Sequence, residues 1–324
     1  MDVIYREEAD RWVRGDRFVR PFVRRLLRPS QPYLSGMQMV VRNFLRGLDR
    51  RGITYRFNPL STRIGRTQPV ISFGLGLKGV KGLKAETPII AAIGFPYPAE
   101  LPDLCKEYNI RKYLQHSQWV LQLAKSAGLY DPAIFDLWPA GIDTEEWAVA
   151  TAPKTVDILI YNKVYAHLEE GQTALLDTIR RYLSSGGYSF IELRYRSYTP
   201  AQYRSALAQA KAMIFLSPHE SQGMAYQECL SSDVPVLAWD QGYWLDPTRS
   251  AYGLPPVRAT SVPFFDERCG RTFLDAADFE TKFGGFIDDV RAKKFSPREF
   301  VLENVSIERS TERMLDIYRS VANA

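Results

Sequence analysis

The segment Ser217–Trp239, SPHESQGMAYQECLSSDVPVLAW, decides the fold. An apolar run, Ala212–Leu216, precedes it and predicts a buried strand, and the turn after that strand leads into a helix predicted to begin at Gly223. A second apolar run, Val234–Trp239, predicts the next strand. A strand, a helix and a strand joined by short connections are typical of a right-handed crossover in a parallel sheet.

The turn and the helix of this segment carry two carboxylates. Glu220 and Glu228 are separated by seven residues, and Gly223 lies between them. A glycine at a strand-to-helix turn lets backbone N–H groups approach a ligand, and the free N–H groups of a helix start attract an anion. Carboxylates on both sides of that point can accept hydrogen bonds from the hydroxyls of two sugars joined by a diphosphate. The pattern therefore indicates a nucleotide-sugar site, and a capped surface helix is the alternative.

Short apolar runs and amphipathic stretches alternate on both sides of this segment, as in strand–helix units around parallel sheets. The predicted strands are Thr54–Phe57, Val70–Phe73, Ile89–Ile93, Lys112–Gln115, Ile134–Trp138, Val156–Tyr161 and Tyr188–Leu193. The predicted helices are Met37–Arg51, Ala99–Tyr108, Ser117–Gly128, Thr173–Ser184, Pro200–Lys211 and Val301–Val321. A stretch without periodicity, Ala148–Thr155, separates two series of units, so the sequence predicts an α/β fold of two Rossmann-like halves.

The composition agrees with two folded domains. A chain of 324 residues exceeds the ~100–200 residues of an average domain. Its 45% hydrophobic and 24% charged residues exclude disordered and small disulfide-rich classes. No apolar run approaches the ~20 residues that span a bilayer, and no apolar signal-peptide core follows Met1, so we expect a cytoplasmic protein. The cysteines and histidines lack ligand spacing, which predicts neither a disulfide nor a bound metal.

Positive charge is concentrated at the N-terminal end. The net charge is +5; residues 1–66 hold fifteen Arg, no Lys and six acidic residues, a net of +9, whereas residues 67–147 and 148–324 carry −2 each. Apolar residues interleave with arginines in the most basic stretch: Trp12, Phe18, Phe22 and Leu26 with Arg11, Arg14, Arg17, Arg20, Arg24, Arg25 and Arg28. Three interpretations stay open: peripheral docking on the inner face of an anionic membrane, nucleic-acid binding, and an arginine-rich structural surface.

Several motifs resemble those of one enzyme family. The two glutamates, the glycine three positions after the first of them and the Val-Pro-Val strand that follows are similar to the signature of retaining GT-B glycosyltransferases of the family 4 type. The other similar motifs are the glycine loop Leu34–Val41 (LSGMQMVV), the helix start Ser117-Gln-Trp, the interdomain turn Pro139–Trp147 (PAGIDTEEW) and the closing helix Ser296–Tyr318. Because they occur in the family's order, the resemblance extends over most of the chain.

The resemblance implies a GT-B fold, in which two Rossmann-like domains face each other across a cleft and a C-terminal helix crosses back. The domains are then expected at residues 1–147 for the acceptor, 148–303 for the nucleotide-sugar donor and 304–324 for the returning helix. It also implies a glycosyltransferase that needs no metal or other cofactor and moves a sugar from a UDP- or GDP-sugar with retention. A glycan, a lipid-linked glycan and a nucleic acid stay open as acceptors.

The resemblance gives roles to the residues that match the signature. Glu228 is expected to bind the ribose hydroxyls of the nucleotide, and Glu220 the donor sugar. Backbone contacts to the sugar and the phosphates are expected from Gly223, Met224 and Ala225.

The diphosphate contacts depart from the family pattern. The family usually carries an Arg after the first strand of this domain and a Lys-Gly pair a few residues later, whereas this chain has Tyr161-Asn-Lys-Val-Tyr. Lys163 is therefore the expected diphosphate ligand, alone or together with Arg194 or Arg196. The loop that contains these arginines and Tyr198 follows the next strand at its carboxyl end, where α/β sheets bind ligands, and the resemblance implies that it lies near the nucleobase.

Two residues of the first half are further candidates. Gly36 is expected to bind phosphate or to serve only as a helix-start glycine. His116, at a predicted strand end, is expected either to contact the acceptor or to be a core histidine. The missing Arg and Lys-Gly pair leaves one more alternative: a protein of the same fold that binds nucleotide sugars without turnover.

Overall fold

The structure is a computed structural model that describes residues 1–6, 36–74, 77–92, 97–163, 169–244 and 248–324. The chain folds into two compact units. The first contains Met1–Gly141 and Ile307–Ala324, and the second contains Ile142–Ser306. Each unit is built on one parallel β-sheet.

The sheet of the first unit has six strands in the spatial order β2-β1-β3-β4-β5-β6, and neighbouring strands run parallel. The strands are β1 (Asp2–Tyr5), β2 (Arg56–Phe57), β3 (Val70–Phe73), β4 (Ile89–Ala92), β5 (Ile110–Gln115) and β6 (Phe135–Leu137). Because β1 pairs with both β2 and β3, the chain reverses its direction of winding next to β1.

The sheet of the second unit has five parallel strands in the spatial order β11-β10-β9-β7-β8. The strands are β7 (Val156–Asn162), β8 (Phe190–Arg194), β9 (Ala210–Leu216), β10 (Val236–Trp239) and β11 (Gly270–Phe273). The first strand of this unit, β7, lies between the second and the third. The order reverses between β7 and β9, which is where doubly wound sheets bind ligands.

Helices connect the strands and cover the sheets. They are α1 (Gly36–Arg50), α2 (Leu77–Val80), α3 (Leu101–Glu107), α4 (Gln118–Ser126), α5 (Glu169–Ser185), α6 (Pro200–Gln209), α7 (Met224–Ser231), α8 (Thr248–Ala251), α9 (Ala276–Arg291), α10 (Pro297–Asn304) and α11 (Ile307–Ala322).

Strand β9 shows why the strands of the second sheet have consecutive apolar residues in the sequence. Met213 and Phe215 pack into the hydrophobic cluster on one face of the sheet, and Ile214 and Leu216 pack into the cluster on the other face. All four side chains are almost completely inaccessible. A strand that is covered on both faces needs apolar residues at consecutive positions, which is the pattern of a buried parallel sheet.

Helix α11 belongs to the first unit, although it follows the whole second unit in the chain. It packs on α1, where Arg50 lies 3.0 Å from Glu308. It also caps the end of the sheet: the Trp138 indole donates to the carbonyl of Ser310 over 2.9 Å, and the Ser310 hydroxyl donates to the carbonyl of Pro139 over 2.7 Å.

Most predicted elements are present with shifts at their ends. Strand Val70–Phe73 is found as predicted, and the helices predicted to start at Met37 and Gly223 begin at Gly36 and Met224. The residues before Arg56 and the residue Ile134, both predicted as strand, lie outside β2 and β6.

Several predictions need correction. Strands β1 and β11 and helices α2, α8 and α9 were not predicted, although β1 lies between two other strands, β2 and β3. The single helix predicted at Val301–Val321 is two helices, α10 and α11, because Val305 leaves helical geometry with φ −136° and ψ 18°. This interruption falls at the boundary between the two units.

Some predictions fall outside the described residues. These are the interleaved residues Trp12, Phe18, Phe22, Leu26 and the seven arginines from Arg11 to Arg28, together with Leu34, Ser35 and Ile93. Within the described ranges, none of the helices is long and apolar enough to cross a membrane.

Gly47→Ala is expected to destabilise the first unit. An added Cβ would overlap Thr311 Oγ1 of α11 and lie 2.8 Å from Ile307 Cγ2. Overpacking of this kind costs about 1–3 kcal/mol. The matched control is Gly284→Ala in α9, where no atom lies within 4 Å of the added Cβ. Urea unfolding midpoints measure both variants; equal shifts would contradict the packing described here.

Candidate functional site

The candidate site lies at the carboxyl ends of β7 and β9, where the strand order of the second unit reverses. In the register of this pair Asn162 stands opposite Leu216, so Lys163 and Ser217 are the first residues beyond the sheet on adjacent strands. The backbone N–H of Lys163 donates to the carbonyl of Leu216 over 2.7 Å. The loop with the glutamate signature therefore starts beside the predicted diphosphate ligand.

Lys163 and Glu220 form an ion pair. The ammonium nitrogen lies 2.7 Å from one carboxylate oxygen of Glu220 and 2.8 Å from the other. The exposed fraction is 16% for the lysine side chain and 9% for the glutamate side chain. Because removing single charges from water is costly, each of these groups needs the other or a ligand of opposite charge.

Glu220 is anchored on its backbone and its side chain. The Ser217 hydroxyl donates to Glu220 Oε1 over 2.9 Å, and the backbone N–H of Glu220 donates to the carbonyl of Thr260 over 3.0 Å. Thr260 is in turn fixed by Asp240, the residue that directly follows β10. The Thr260 hydroxyl donates to the Asp240 carboxylate over 2.6 Å. The loops after β9 and β10 thus position a single carboxylate.

Helix α7 begins beside this pair. Its N-cap is Gly223, in the left-handed region with φ 76° and ψ 43°. The first turn of α7 contains no acidic residue that would repel an anion, and the N–H groups at a helix start attract one. Glu228 lies in the same helix and is 7% exposed.

Two aromatic residues hold the start of α7 in place. The hydroxyl of Tyr226 accepts from the backbone N–H of Phe264 over 3.0 Å, and burial raises its pKa. The hydroxyl of Tyr203 donates to the carbonyl of Ala225. Both rings are almost completely buried, so they hold the turn that carries Met224 and Ala225 against the hydrophobic core.

The loop after β8 contributes the remaining predicted residues of this unit. Arg194 and Arg196 are exposed, and Arg196 adopts a positive φ of 67°. Between them lies Tyr195, whose ring centroid is 4.9 Å from the Lys163 ammonium. Tyr198 is half-buried, and its hydroxyl lies 2.6 Å from that of Tyr161.

The two candidates of the first unit lie in contrasting surroundings. Gly36 is exposed at the start of α1, and a Cβ added there would meet no atom within 4 Å. His116 is 7% exposed, and its Nδ1 lies 3.1 Å from the carbonyl of Trp138. Burial lowers the pKa of His116 to about 4, so the imidazole is neutral at pH 7.

Four residues of the site were missed or not singled out from the sequence. Tyr195 contacts Lys163, Ser217 binds Glu220, and Thr260 and Asp240 fix the Glu220 loop. Asp240 had a usable signal, because it directly follows a predicted strand at its carboxyl end. Thr260 had none, since its position depends on the path of the loop after β10.

Among the described residues, no group of three or more His, Cys, Asp or Glu side chains could hold a metal ion. Cys229 and Cys269 are buried, and burial raises the pKa of both thiols, in Cys269 to about 12. Neither thiol is therefore a reactive thiolate at neutral pH.

Solved structures with a similar fold are GT-B glycosyltransferases. A glycosyltransferase from Rickettsia africae ESF-5 is 11% identical with a TM-score of 0.59, and the match covers 99% of this chain and 98% of that one. The lipopolysaccharide outer core galactosyltransferase WaaB is 12% identical with a TM-score of 0.57, and the match covers 99% of both chains.

A third similar structure, TarM, is 14% identical with a TM-score of 0.55. That match covers 79% of this chain and 56% of TarM, so this chain spans just over half the length of TarM. No family model matches the sequence, and no curated protein matches it either. The structural likeness establishes the fold: the predicted α/β architecture of the GT-B type is confirmed.

Gly223→Ala is expected to disturb the start of α7. The added Cβ would overlap Cε1 of Tyr226, and the positive φ disfavours any side chain. Gly187→Ala is the matched control, because its φ is 72° and no atom lies within 4 Å of the added Cβ. Both variants carry the cost of about 1 kcal/mol for a left-handed alanine, so a larger fall in the unfolding midpoint for Gly223→Ala is the expected result. Equal falls would contradict the clash.

The buried His116 predicts a dependence of stability on pH. The folded protein keeps the imidazole neutral down to pH about 4, whereas in the unfolded chain it binds a proton below pH ~6.5. The free energy of unfolding therefore decreases as the pH falls from 6.5 towards 4, by about 2 kcal/mol at pH 5. In His116→Gln this contribution is absent. Urea unfolding at pH 7 and pH 5 checks it: the wild type is expected to lose more stability than the variant, and equal losses would be the contrary result.

Proposed function

We propose that this protein is a glycosyltransferase that moves a sugar from a nucleoside diphosphate sugar to an acceptor hydroxyl. The observation that carries the proposal is the placement of Lys163, Glu220 and the start of α7 at one switch point of a doubly wound sheet. The similarity to GT-B glycosyltransferases over the full length of two of them supports it.

The groups of the second unit suit the parts of such a donor. The Lys163 ammonium and the N–H groups at the start of α7 offer positive charge to the diphosphate. Glu228, in the same helix, offers a carboxylate to the ribose hydroxyls. Glu220 offers a second carboxylate to the hydroxyls of the transferred sugar. We assign Ile142–Ser306 to donor binding on this basis.

In the proposed reaction, the bond between the anomeric carbon and the diphosphate oxygen breaks, and a bond from that carbon to the acceptor oxygen forms. The proton of the acceptor hydroxyl passes to an oxygen of the departing diphosphate. Negative charge develops on the leaving group, and Lys163 together with the start of α7 stabilises it there. Attack on the face from which the diphosphate leaves needs no protein nucleophile and gives retention.

The acceptor is proposed to be anionic, or to be carried on an anionic surface. Residues 1–66 have a net charge of +9, whereas the rest of the chain has −4. A segment with a large excess of one charge attracts ligands of the opposite charge. WaaB is named for a lipopolysaccharide substrate, and a phosphate-rich, lipid-linked glycan is the acceptor class proposed for this chain.

A donor screen tests the proposal. Binding of UDP- and GDP-sugars to the wild-type protein is measured by calorimetric titration, and release of the nucleoside diphosphate is measured with and without glycan acceptors. Saturable release, with transfer to an acceptor, is the expected result. Binding without release for every donor and acceptor would instead favour the non-catalytic alternative, and absence of binding would refute both.

Glu228→Gln is expected to weaken donor binding about tenfold, because a hydrogen bond to a charged group contributes about 1.5–3 kcal/mol. Calorimetric titration with the donor identified by the screen measures the dissociation constant. Glu280→Gln is the control, since Glu280 is exposed on α9 and lies outside the site. Unchanged affinity in Glu228→Gln would remove Glu228 from the proposed nucleotide contacts.

A further inference from the structure

The two groups proposed for different parts of the donor bind each other. Both carboxylate oxygens of Glu220 lie within 2.8 Å of the Lys163 ammonium nitrogen. The pair is fixed from both sides, because the Lys163 backbone is held by Leu216 and the Glu220 carboxylate by Ser217. A diphosphate that approaches Lys163 therefore meets an ammonium group whose charge is already compensated, with a carboxylate beside it.

This arrangement affects the donor and the product of the reaction differently. A sugar diphosphate brings hydroxyl groups that can donate to the Glu220 carboxylate, so the carboxylate stays satisfied while Lys163 turns part of its donors to the phosphates. The nucleoside diphosphate product has no sugar hydroxyls at this position. It also carries additional negative charge, because its terminal phosphate has a free oxygen that ionises with a pKa of about 6.

We propose that Glu220 discriminates against the nucleoside diphosphate product by competing with it for Lys163. When the sugar has left, the carboxylate and the diphosphate repel each other and share one cation, and re-formation of the ion pair favours release of the product. The inference rests on the proposed function, and it gives Glu220 a second role besides contact with the donor sugar.

A carboxylate that only contacts the sugar predicts a different pattern. Its replacement would weaken binding of the nucleotide sugar and leave binding of the free diphosphate unchanged. Damage to the fold would weaken both. Competition for Lys163 together with the sugar contact predicts changes of opposite sign, in which the diphosphate binds more tightly and the nucleotide sugar more weakly.

The test is calorimetric titration of Glu220→Gln with inorganic pyrophosphate, UDP and GDP, and with UDP-glucose and GDP-mannose. The dissociation constants of pyrophosphate and of the better-bound nucleoside diphosphate are expected to fall about tenfold, since removal of a like charge a few ångströms away has an effect of this order in a partly buried site. That of the matching nucleotide sugar is expected to rise. Glu280→Gln is expected to bind all probes as the wild type does.

Lys163→Gln and the double variant Lys163→Gln/Glu220→Gln complete a double-mutant cycle with the wild type and Glu220→Gln. Lys163→Gln is expected to weaken pyrophosphate binding, because the carboxylate then faces the phosphates without its cation. When Lys163 is already replaced, the additional change Glu220→Gln is expected to tighten pyrophosphate binding less than the same change does in the presence of Lys163. The double variant also guards against misfolding, since a neutral pair replaces the buried charges and leaves no ion without a partner.

The result that would overturn the inference is unchanged or weaker diphosphate binding in Glu220→Gln that melts like the wild type. Diphosphate binding that is absent from all variants would overturn it as well. The donor screen is a separate readout: sugar transfer together with an unchanged diphosphate affinity refutes product discrimination alone. Absence of sugar transfer by the wild-type protein with every donor refutes the proposed function, whatever the diphosphate affinities are.

Discussion

The parallel pairing of β7 with β9 is the constraint on which the candidate site depends. Lys163 and Glu220 are 57 residues apart in the chain, and they meet because these two strands are neighbours in the sheet. Met213 and Phe215 pack in one hydrophobic cluster and Ile214 and Leu216 in the other, so the fit of these side chains to the two clusters holds the register. A shift by one residue would move each side chain to the opposite face, and it would also separate the end of β7 from the loop that carries the carboxylate.

Burial also explains which strands could be predicted from the sequence. Strand β9 has consecutive apolar residues because helices cover both of its faces. Strand β11 lies at the edge of the sheet, and exposed Arg271 interrupts its apolar pattern. Strand β1 lies between β2 and β3, but it has only four residues, and one of them, Asp2, is a buried acid paired with Arg56. Short strands whose charges are compensated by a distant residue give no periodic signal.

The site was predictable as far as its residues belong to a local pattern. Glu220, Gly223 and Glu228 share one loop and one helix, so their spacing indicates an anion site flanked by carboxylates. The ion pair between Lys163 and Glu220 was not predictable, because it depends on strand register. The contact of Tyr195 with Lys163 depends in addition on a loop with positive φ at Arg196. Contacts between different loops were therefore the part that required the structure.

The position of α11 has a consequence for biosynthesis. The second unit is one uninterrupted stretch of chain, whereas the first unit needs a helix that the ribosome makes after all of the second. Domains generally fold as units during synthesis. The second unit can then complete its fold first, while the face of α1 around Gly47, which receives Thr311, stays uncovered until translation has passed Ile307. The unit that contains the first residues of this chain is thus completed after the unit that follows it in the sequence.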